Sequence, residues 1–312
     1  MMAHAPGKLV LSGAYVVLDG APALVAAVDR YAVADTARAC QFVSDELRAA
    51  FGSLAPPFVD TSALRDEGRK LGLGSSAAAV LAALWAHAAE TRPGEDVALL
   101  RDELARRAFA AHRAAQGGGS GIDVVASAFG GVRLCSRQAE APPEHREATL
   151  PGALIVEAWA CPQSGSTPAL LAQVRRLRQT QPEVYAGLSA GAHRGAWAVA
   201  EALSTGDEIA CLEGLRTQRT SMRVLGQMTG APILTPAMLT LGDEAEADEG
   251  AVFAQAGAGG GDVALYFGLR PSPPAWREHA TALGLRSLDL ALGATGADFG
   301  PPPAGRLPET SP

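Results

Sequence analysis

Hydrophobic and polar residues recur along the chain with two different periods. Short apolar runs rich in Val, Leu and Ala predict strands at residues 8–18 (interrupted at Ser12-Gly13), 23–34, 132–136, 153–160, 263–269 and 286–292. Apolar positions three and four residues apart predict helices at residues 45–51, 75–91, 96–115, 168–180, 183–205, 207–228, 236–247 and 274–283. Strands and helices do not alternate strictly, so the pattern predicts an α+β fold rather than a parallel α/β sheet.

Changes in composition predict how the chain is divided. The Pro- and Glu-rich stretch at 141–151 is typical of a linker, which places two domains at residues 1–150 and 151–293. The remainder, residues 294–312, is rich in Pro and Gly, and we predict a disordered tail there.

Composition and charge favour a small-molecule function. Of 312 residues 48% are hydrophobic, which allows a substantial core, and the net charge of -7 argues against a general nucleic-acid binder. No apolar run approaches the ~20 residues of a membrane span, and the N-terminus lacks a signal-peptide pattern. The four cysteines contain no C-x-x-C pair, so we expect free thiols in a cytoplasmic protein.

Candidate chemistry begins with a glycine-rich turn that leads into an Ala-rich helix at residues 70–79. Gly72 and Gly74 allow the backbone to bend tightly, and the start of a helix attracts phosphate. The order of residues excludes a P-loop, since Lys70 precedes the glycines, and the dinucleotide fingerprint also fails. A simple turn, with a serine capping the helix, explains this stretch equally well when it is taken alone.

Two further glycine loops accompany this one, at residues 5–15 and 257–262. With three such motifs in this order, the chain resembles the GHMP kinases, a family that includes galactokinase, homoserine kinase and mevalonate kinase. The resemblance covers about residues 3–293. Within the family, the chain most resembles the phosphomevalonate kinases. The segments that carry this resemblance are residues 60–64 followed by 70–76, residues 111–112 followed by 119–124, and residues 164–167 and 232–236.

The resemblance implies a two-domain GHMP kinase fold, with an N-terminal ribosomal-protein-S5-like domain and a C-terminal ferredoxin-like α/β domain. It also implies a reaction, the Mg²⁺-dependent transfer of the ATP γ-phosphoryl group to 5-phosphomevalonate, which gives 5-diphosphomevalonate in isoprenoid biosynthesis. The partner would be a phosphorylated hydroxy acid, with no nucleic acid or membrane, and the chain would be a monomer or homodimer. The alternatives are mevalonate or another family acceptor, and a degenerate relative that binds nucleotide without catalysis.

The same resemblance assigns roles to individual residues. Lys8 would stabilise charge on the transferring group, and Asp123 would orient the acceptor or take its proton. Ser76 would ligate Mg²⁺. The ATP phosphates would be held by Lys70, Gly72, Leu73, Gly74, Ser75, Ser76 and Ala77. The acceptor would contact Ser120, Gly121, Ser166, Thr167, Gly259 and Gly260. Without the resemblance, Asp123 could be a helix cap and Lys8 a surface lysine.

Other positions are weaker candidates or departures from the family. An acidic acceptor needs cations, which Arg175, Arg216, Arg219 and Arg223 could supply. His112 stands where the mevalonate kinases carry a magnesium-binding glutamate, and an ordinary partly buried histidine is the alternative. The chain departs from the family pattern at three places. Ala14 stands where the family usually has a glutamate, and residues 254–256 differ from the sequence that normally precedes the third loop. The stretch at residues 30–70, which surrounds the adenine in relatives, is short, and this puts adenine binding in question. We expect Asp262 to support the other two loops.

Overall fold

The computed structural model describes residues 1–40, 42–66, 68–137, 141–165 and 167–303. In this part, helices α1–α9 span Asp45–Phe51, Ser75–Thr91, Val97–Gln116, Ile122–Phe129, Thr167–Thr180, Pro182–Thr205, Glu208–Thr229, Pro236–Glu249 and Pro274–Ala282. Strands β1–β12 span Met2–Ser12, Ala23–Ala39, Pro57–Asp60, Arg65–Asp66, Arg69–Lys70, Val132–Ser136, Glu144–Glu147, Ile155–Ala160, Val252–Gln255, Val263–Gly268, Arg286–Leu288 and Asp298–Phe299. This mixture of helices and antiparallel sheets confirms the α+β class.

The first sheet is built on the long antiparallel pair β1–β2. Its strand order is β12-β1-β2-β6-β7, and β3 also pairs with β2. Successive side chains of a strand point to opposite faces. Accordingly Leu9 and Leu11 join the large core that contains α2, whereas Val10 packs in a separate cluster with Ile122 and Val125 of α4. The sheet is therefore covered on both faces, and the start of β1 is held rigidly beside α2 and α4.

Helix α2 is buried on nearly every side. Its first three turns consist mainly of alanines, and Trp85 is fully buried at its far end. Small side chains let the helix approach β1 and β2 closely, which brings its N-terminus against the glycine loops of the strands. The helix most important for the site is thus fixed by packing along its length.

The second sheet has the order β11-β8-β10-β9 and is antiparallel throughout. Trp276 of α9 packs edge-on against Trp159 and Phe253, at ring-centroid distances of 5.2 and 4.9 Å. Helices α6 and α7 cross at Gly195 and Gly214, where a Cβ at Gly195 would lie 2.4 Å from the Gly214 carbonyl oxygen. Among the described residues, no helix combines the length and apolar character that crossing a bilayer requires.

The structure confirms every predicted helix to within two residues at each end, and adds α4 at Ile122–Phe129. Two strand predictions are partly wrong. Residues 14–18 leave the sheet and form the 3₁₀ turn Val16–Asp19, and the last predicted strand ends at Leu288 instead of 292. The predicted linker at 141–151 contains β7, which pairs with β6 as a charged edge strand.

The predicted disordered tail is wrong for residues 294–303. Ala297 is fully buried, β12 pairs with β1 at Ala3 and Phe299, and the Phe299 ring lies 4.7 Å from the Trp85 ring. Residues 304–312 lie outside the described part of the chain. The domain boundary at 150/151 stays a prediction, although the strands of the two sheets fall on either side of it, apart from β12.

Candidate active site

Lys8 lies across the glycine loop that begins α2. Its backbone N–H donates to the Leu73 carbonyl at 2.9 Å, and its Nζ donates to the Gly72 carbonyl at 2.9 Å. Gly74 has φ +73°, and a Cβ there would lie 2.9 Å from Lys8 Cγ. Glycine is therefore needed at position 74 both for the backbone turn and for the close approach of the lysine stem.

The third glycine loop meets the second through Asp262. This residue adopts φ +55°, and its carboxylate lies so close to Gly72 that a Cβ there would come within 2.9 Å of Oδ2. Asp262 Oδ1 accepts hydrogen bonds from Ser164 Oγ at 2.9 Å and from the Gly165 N–H at 3.3 Å. The expectation that Asp262 supports the other loops thus agrees with its contacts.

Asp123 lies at the start of α4 and is paired with His112 of α3. Gly121, with φ +77°, precedes the helix, and Asp123 is its second residue rather than its N-cap. The Val124 N–H donates to Asp123 Oδ1 at 3.0 Å, and His112 Nε2 lies 3.1 Å from Oδ2. The pair therefore joins α3 to the start of α4.

The electrostatics of this pair keep Asp123 ionised. Burial alone would raise the pKa of Asp123, but the charge and hydrogen bond of His112, with help from Lys8, hold that pKa well below its usual range. Burial acts to lower the pKa of His112, yet Asp123 and Glu46 outweigh it and raise the pKa. A carboxylate of such low pKa is a weak general base, so its suitable role is to orient a hydroxyl and to balance positive charge.

Lys8 is the cation of this arrangement. Burial lowers the pKa of Lys8 by more than the nearby carboxylates of Asp123 and Asp262 raise it. The partly buried side chain therefore lies near two negative charges. A cation held in this way can stabilise negative charge on a transferring phosphoryl group.

The N-terminus of α2 is capped differently from the prediction. Gly74 occupies the N-cap position and, in the described chain, no side chain caps the first N–H groups. Ser75 and Ser76 are instead the first two helical residues. The backbone N–H groups are thus left for an anion, as the phosphate-binding hypothesis requires.

A cleft connects these groups and is lined by all three glycine loops. Its polar lining is Lys8, His112, Gln116, Ser120, Asp123 and Asp262, and its apolar lining includes Val10, Tyr15, Leu18, Ile122 and Leu171. Lys8 is the one lysine or arginine among its described lining residues. The cleft therefore brings together Lys8, Asp123, Ser120, Gly72 and Gly259, and the roles predicted for them stay predictions.

The other predicted site residues lie around the cleft. Lys70 has an exposed side chain in the β4–β5 hairpin, and Leu73 and Ala77 are buried. Gly121 packs against Phe109, and Gly260 packs against Leu170. Ser166 lies outside the described residues, and Thr167 is described only as the first residue of α5.

The candidate arginines of α7 face another helix. Arg219 and Arg223 pair with Asp243 at 2.7 and 3.2 Å, and Arg216 pairs with Glu246 at 3.1 Å, both acids lying on α8. Their charge is therefore matched within the second half of the chain. Arg175 is exposed on α5, one turn beyond the cleft residue Leu171.

Several contacts of the site were not predicted from the sequence. The Tyr15 hydroxyl donates to the Ala258 carbonyl at 2.6 Å and so joins the first loop to the third. Gln218 of α7 accepts from the Gly13 N–H at 2.8 Å. The positive φ of 65° at Tyr15 is a strained backbone at a candidate site, and only the structure shows it.

Comparison with known proteins places this geometry in context. The GHMP kinases N terminal domain matches residues 44–131. A phosphomevalonate kinase of Streptomyces sp. (strain CL190) is 29% identical over 337 aligned positions, covering 84% of this chain and 88% of that protein. A mevalonate kinase of Archaeoglobus fulgidus is 29% identical over 205 positions, covering 59% of this chain and 66% of that protein.

A solved structure extends the likeness to nearly the whole chain. Streptococcus pneumoniae phosphomevalonate kinase, in complex with phosphomevalonate and AMPPNP, has a TM-score of 0.73 at 18% identity. The match covers 94% of this chain and 99% of that one. The shared fold therefore extends well beyond the residues 44–131 of the domain match.

Proposed function

We propose that this chain, which has the N-terminal domain and the fold of the GHMP kinases as the resemblance predicted, is an ATP-dependent small-molecule kinase. The observation that carries the proposal is the meeting of Lys8 and Asp123 in one cleft beside the open N-terminus of α2. Phosphoryl transfer asks a protein mainly for positioning and charge stabilisation, and these groups offer both.

The residues divide the work in a definite way. Backbone N–H groups at Gly74–Ser76 bind the phosphates of the nucleotide at the helix terminus. Lys8 Nζ stabilises negative charge on the transferring group, and Asp123, held ionised by His112, orients the nucleophilic oxygen of the acceptor. When bound, MgATP supplies the phosphoryl group, and Mg²⁺ neutralises part of its charge.

We propose 5-phosphomevalonate as the acceptor, with 5-diphosphomevalonate as the product. Support comes from the Streptomyces phosphomevalonate kinase, whose similarity covers most of both chains. The free thiols of Cys40, Cys135, Cys161 and Cys211 suit a reducing compartment, so the cytoplasm is the proposed location.

Mevalonate is the second candidate acceptor, and the lining of the cleft favours it. A phosphorylated acid carries more negative charge than mevalonate, yet Lys8 is the one lysine or arginine among the described lining residues. We infer that Arg175, which is exposed and lies one turn beyond Leu171 on α5, would supply the second cation that a phosphorylated acceptor needs. The two acceptors therefore differ in whether they need Arg175.

Release of ADP with Mg-ATP and each of mevalonate, 5-phosphomevalonate and 5-diphosphomevalonate tests the proposal. We expect the wild-type protein to turn over 5-phosphomevalonate. In Asp123→Asn the turnover should fall by orders of magnitude, while nucleotide binding is retained. Turnover with mevalonate alone would transfer the assignment to the second candidate. A folded protein that binds Mg-ATP and turns over none of them would support a non-catalytic relative and overturn the enzyme.

A further inference from the structure

Gln218 reaches from α7, in the second half of the chain, to the first glycine loop. Its side-chain Oε1 accepts hydrogen bonds from the Gly13 N–H at 2.8 Å and from the Ser12 hydroxyl at 3.1 Å. Its Nε2 donates to Ser12 Oγ at 2.9 Å. Gln218 and Ser12 are both buried, and a buried amide is stable only when its hydrogen bonds are made. None of the roles proposed above uses this residue.

The loop that Gln218 contacts has a backbone that must be held in place. Gly13 adopts φ +81°, and Tyr15 adopts φ +65° although it is not a glycine. Such a conformation persists at a non-glycine residue only where the surrounding structure imposes it. Gln218 binds the loop before Tyr15, and the Tyr15 hydroxyl binds the Ala258 carbonyl at 2.6 Å. Groups from the second half of the chain therefore hold this loop at two points.

The same loop forms one wall of the cleft. Ala14, Tyr15 and Leu18 line it together with Lys8 and Asp123. None of the described lining residues belongs to α2, whose first turn is proposed to bind the nucleotide phosphates. The space beside the first loop is therefore left for the acceptor.

We propose that Gln218 is a positioning residue for the acceptor, an inference that rests on the proposed kinase function. By fixing Ser12 and Gly13, it sets the distance of the Tyr15 wall from Lys8, which lies on the same strand. Gln218 itself touches no reacting group. Its effect would be large for so remote a residue, because a misplacement of about 1 Å can lower a rate about a hundredfold.

Steady-state kinetics of Gln218→Met test the assignment. Methionine has a similar length but makes neither hydrogen bond, so the loop loses its partner in α7. With Mg-ATP, we expect KM for 5-phosphomevalonate, or for mevalonate if that is the acceptor, to rise about tenfold or more. KM for ATP and the affinity for ADP should stay unchanged, because Gln218 contacts no residue of the turn that begins α2.

Hydrogen–deuterium exchange followed by mass spectrometry gives a second readout that needs no turnover. Amides in peptides covering residues 12–20 should exchange faster in Gln218→Met than in wild type, while those of residues 75–91 should be unchanged. Unchanged exchange at residues 12–20 would show that Gln218 does not hold the loop, and would overturn the assignment.

Leu212→Ala is the control for a general loss of stability in α7. Leu212 is buried in the same helix, but it packs in the large core and not in the cluster that contains Tyr15. This variant should lower Tm and leave KM for the acceptor unchanged. An equal rise of that KM in Leu212→Ala would assign the effect to lost stability and overturn the inference.

Ser12→Ala keeps the inference testable if Gln218→Met folds poorly. It removes one of the two contacts, so KM for the acceptor should rise less, and the double variant should be no worse than Gln218→Met alone. Wild-type KM for the acceptor in folded Gln218→Met, or in Ser12→Ala where the first variant does not fold, would overturn the role of Gln218 while the kinase function stands. A wild-type chain that turns over no acceptor would overturn the kinase function and the assignment together.

Discussion

At the scale of residues, the site is a row of alternating charges. Asp262, Lys8, Asp123 and His112 line the cleft, and each influences the ionisation of its neighbour. Glu46 adds a further negative charge near His112. In such a row every charge is balanced by the next, so removal of one member leaves a partly desolvated charge without its partner. For a buried pair this costs about 3–5 kcal/mol, and the loss is smaller where water reaches the group.

The pair His112–Asp123 should make stability depend on pH. Because the pKa of His112 is raised, its stabilising contribution is complete below the usual histidine pKa of about 6.5 and is lost as the pH rises through the raised value. His112→Asn should therefore lower the free energy of unfolding most at about pH 6, with a smaller difference near about pH 9. Urea unfolding at several pH values measures this.

His279→Asn provides the control for that measurement. His279 lies 3.0 Å from Glu244, a similar separation, but both side chains are more than one third exposed. Exposed ion pairs contribute little to stability, so this variant should differ little from wild type at any pH. A loss in His112→Asn that is equally large at all pH values would show that packing of the ring, rather than its charge, stabilises the site.

At the scale of elements, the start of α2 depends on one glycine. In Gly74→Ala, an alanine must adopt φ +73°, and this left-handed conformation costs about 1–2 kcal/mol of folding free energy. Its methyl group would also press on the stem of Lys8. We expect a modest fall in Tm together with a loss of kcat of about tenfold or more, because Lys8 is displaced from the transferring group.

Gly206→Ala separates the backbone effect from the displacement of Lys8. Gly206 caps the end of α6 with φ +69°, and a Cβ at this position would meet no other atom within 4 Å. This variant should show a similar fall in Tm with unchanged kcat. Equal kcat losses in the two variants would mean that the contact between Gly74 and Lys8 has no part in catalysis.

What the sequence could predict depends on how local each feature is. Helices such as α2 and α6 were predicted correctly because their period is set within the segment itself. Strands β3, β9 and β12 were missed, since their few residues become strands only by pairing with distant partners. The glycine loops were found because positive φ favours glycine. The hydrogen bond from Tyr15 to Ala258 joins two loops far apart in sequence, and no local pattern encodes it.

At the scale of the whole molecule, the C-terminal segment returns from the second sheet to the first. Leu292 bridges to Val28, and the Ala297 N–H donates to the Ser127 carbonyl at 2.9 Å. Phe299 then packs on Trp85 of α2. The chain's last described residues therefore close the core around the helix whose N-terminus forms the site, so their contribution is to global stability.

Two truncations measure that contribution. The free energy of unfolding of a chain that ends at residue 303 is compared with that of a chain that ends at residue 293, so the difference isolates residues 294–303. We expect a loss of about 3–5 kcal/mol, the range found when a buried aromatic side chain is removed.

Phe299→Ala should account for much of this loss, because the Phe299 ring packs against Trp85. The control is Phe42→Ala. Phe42 is 81% exposed, so its replacement should cost little stability. Equal stability of the two truncated chains would mean that β12 adds nothing to the first sheet, and that α2 is held in place by β1 and β2 alone.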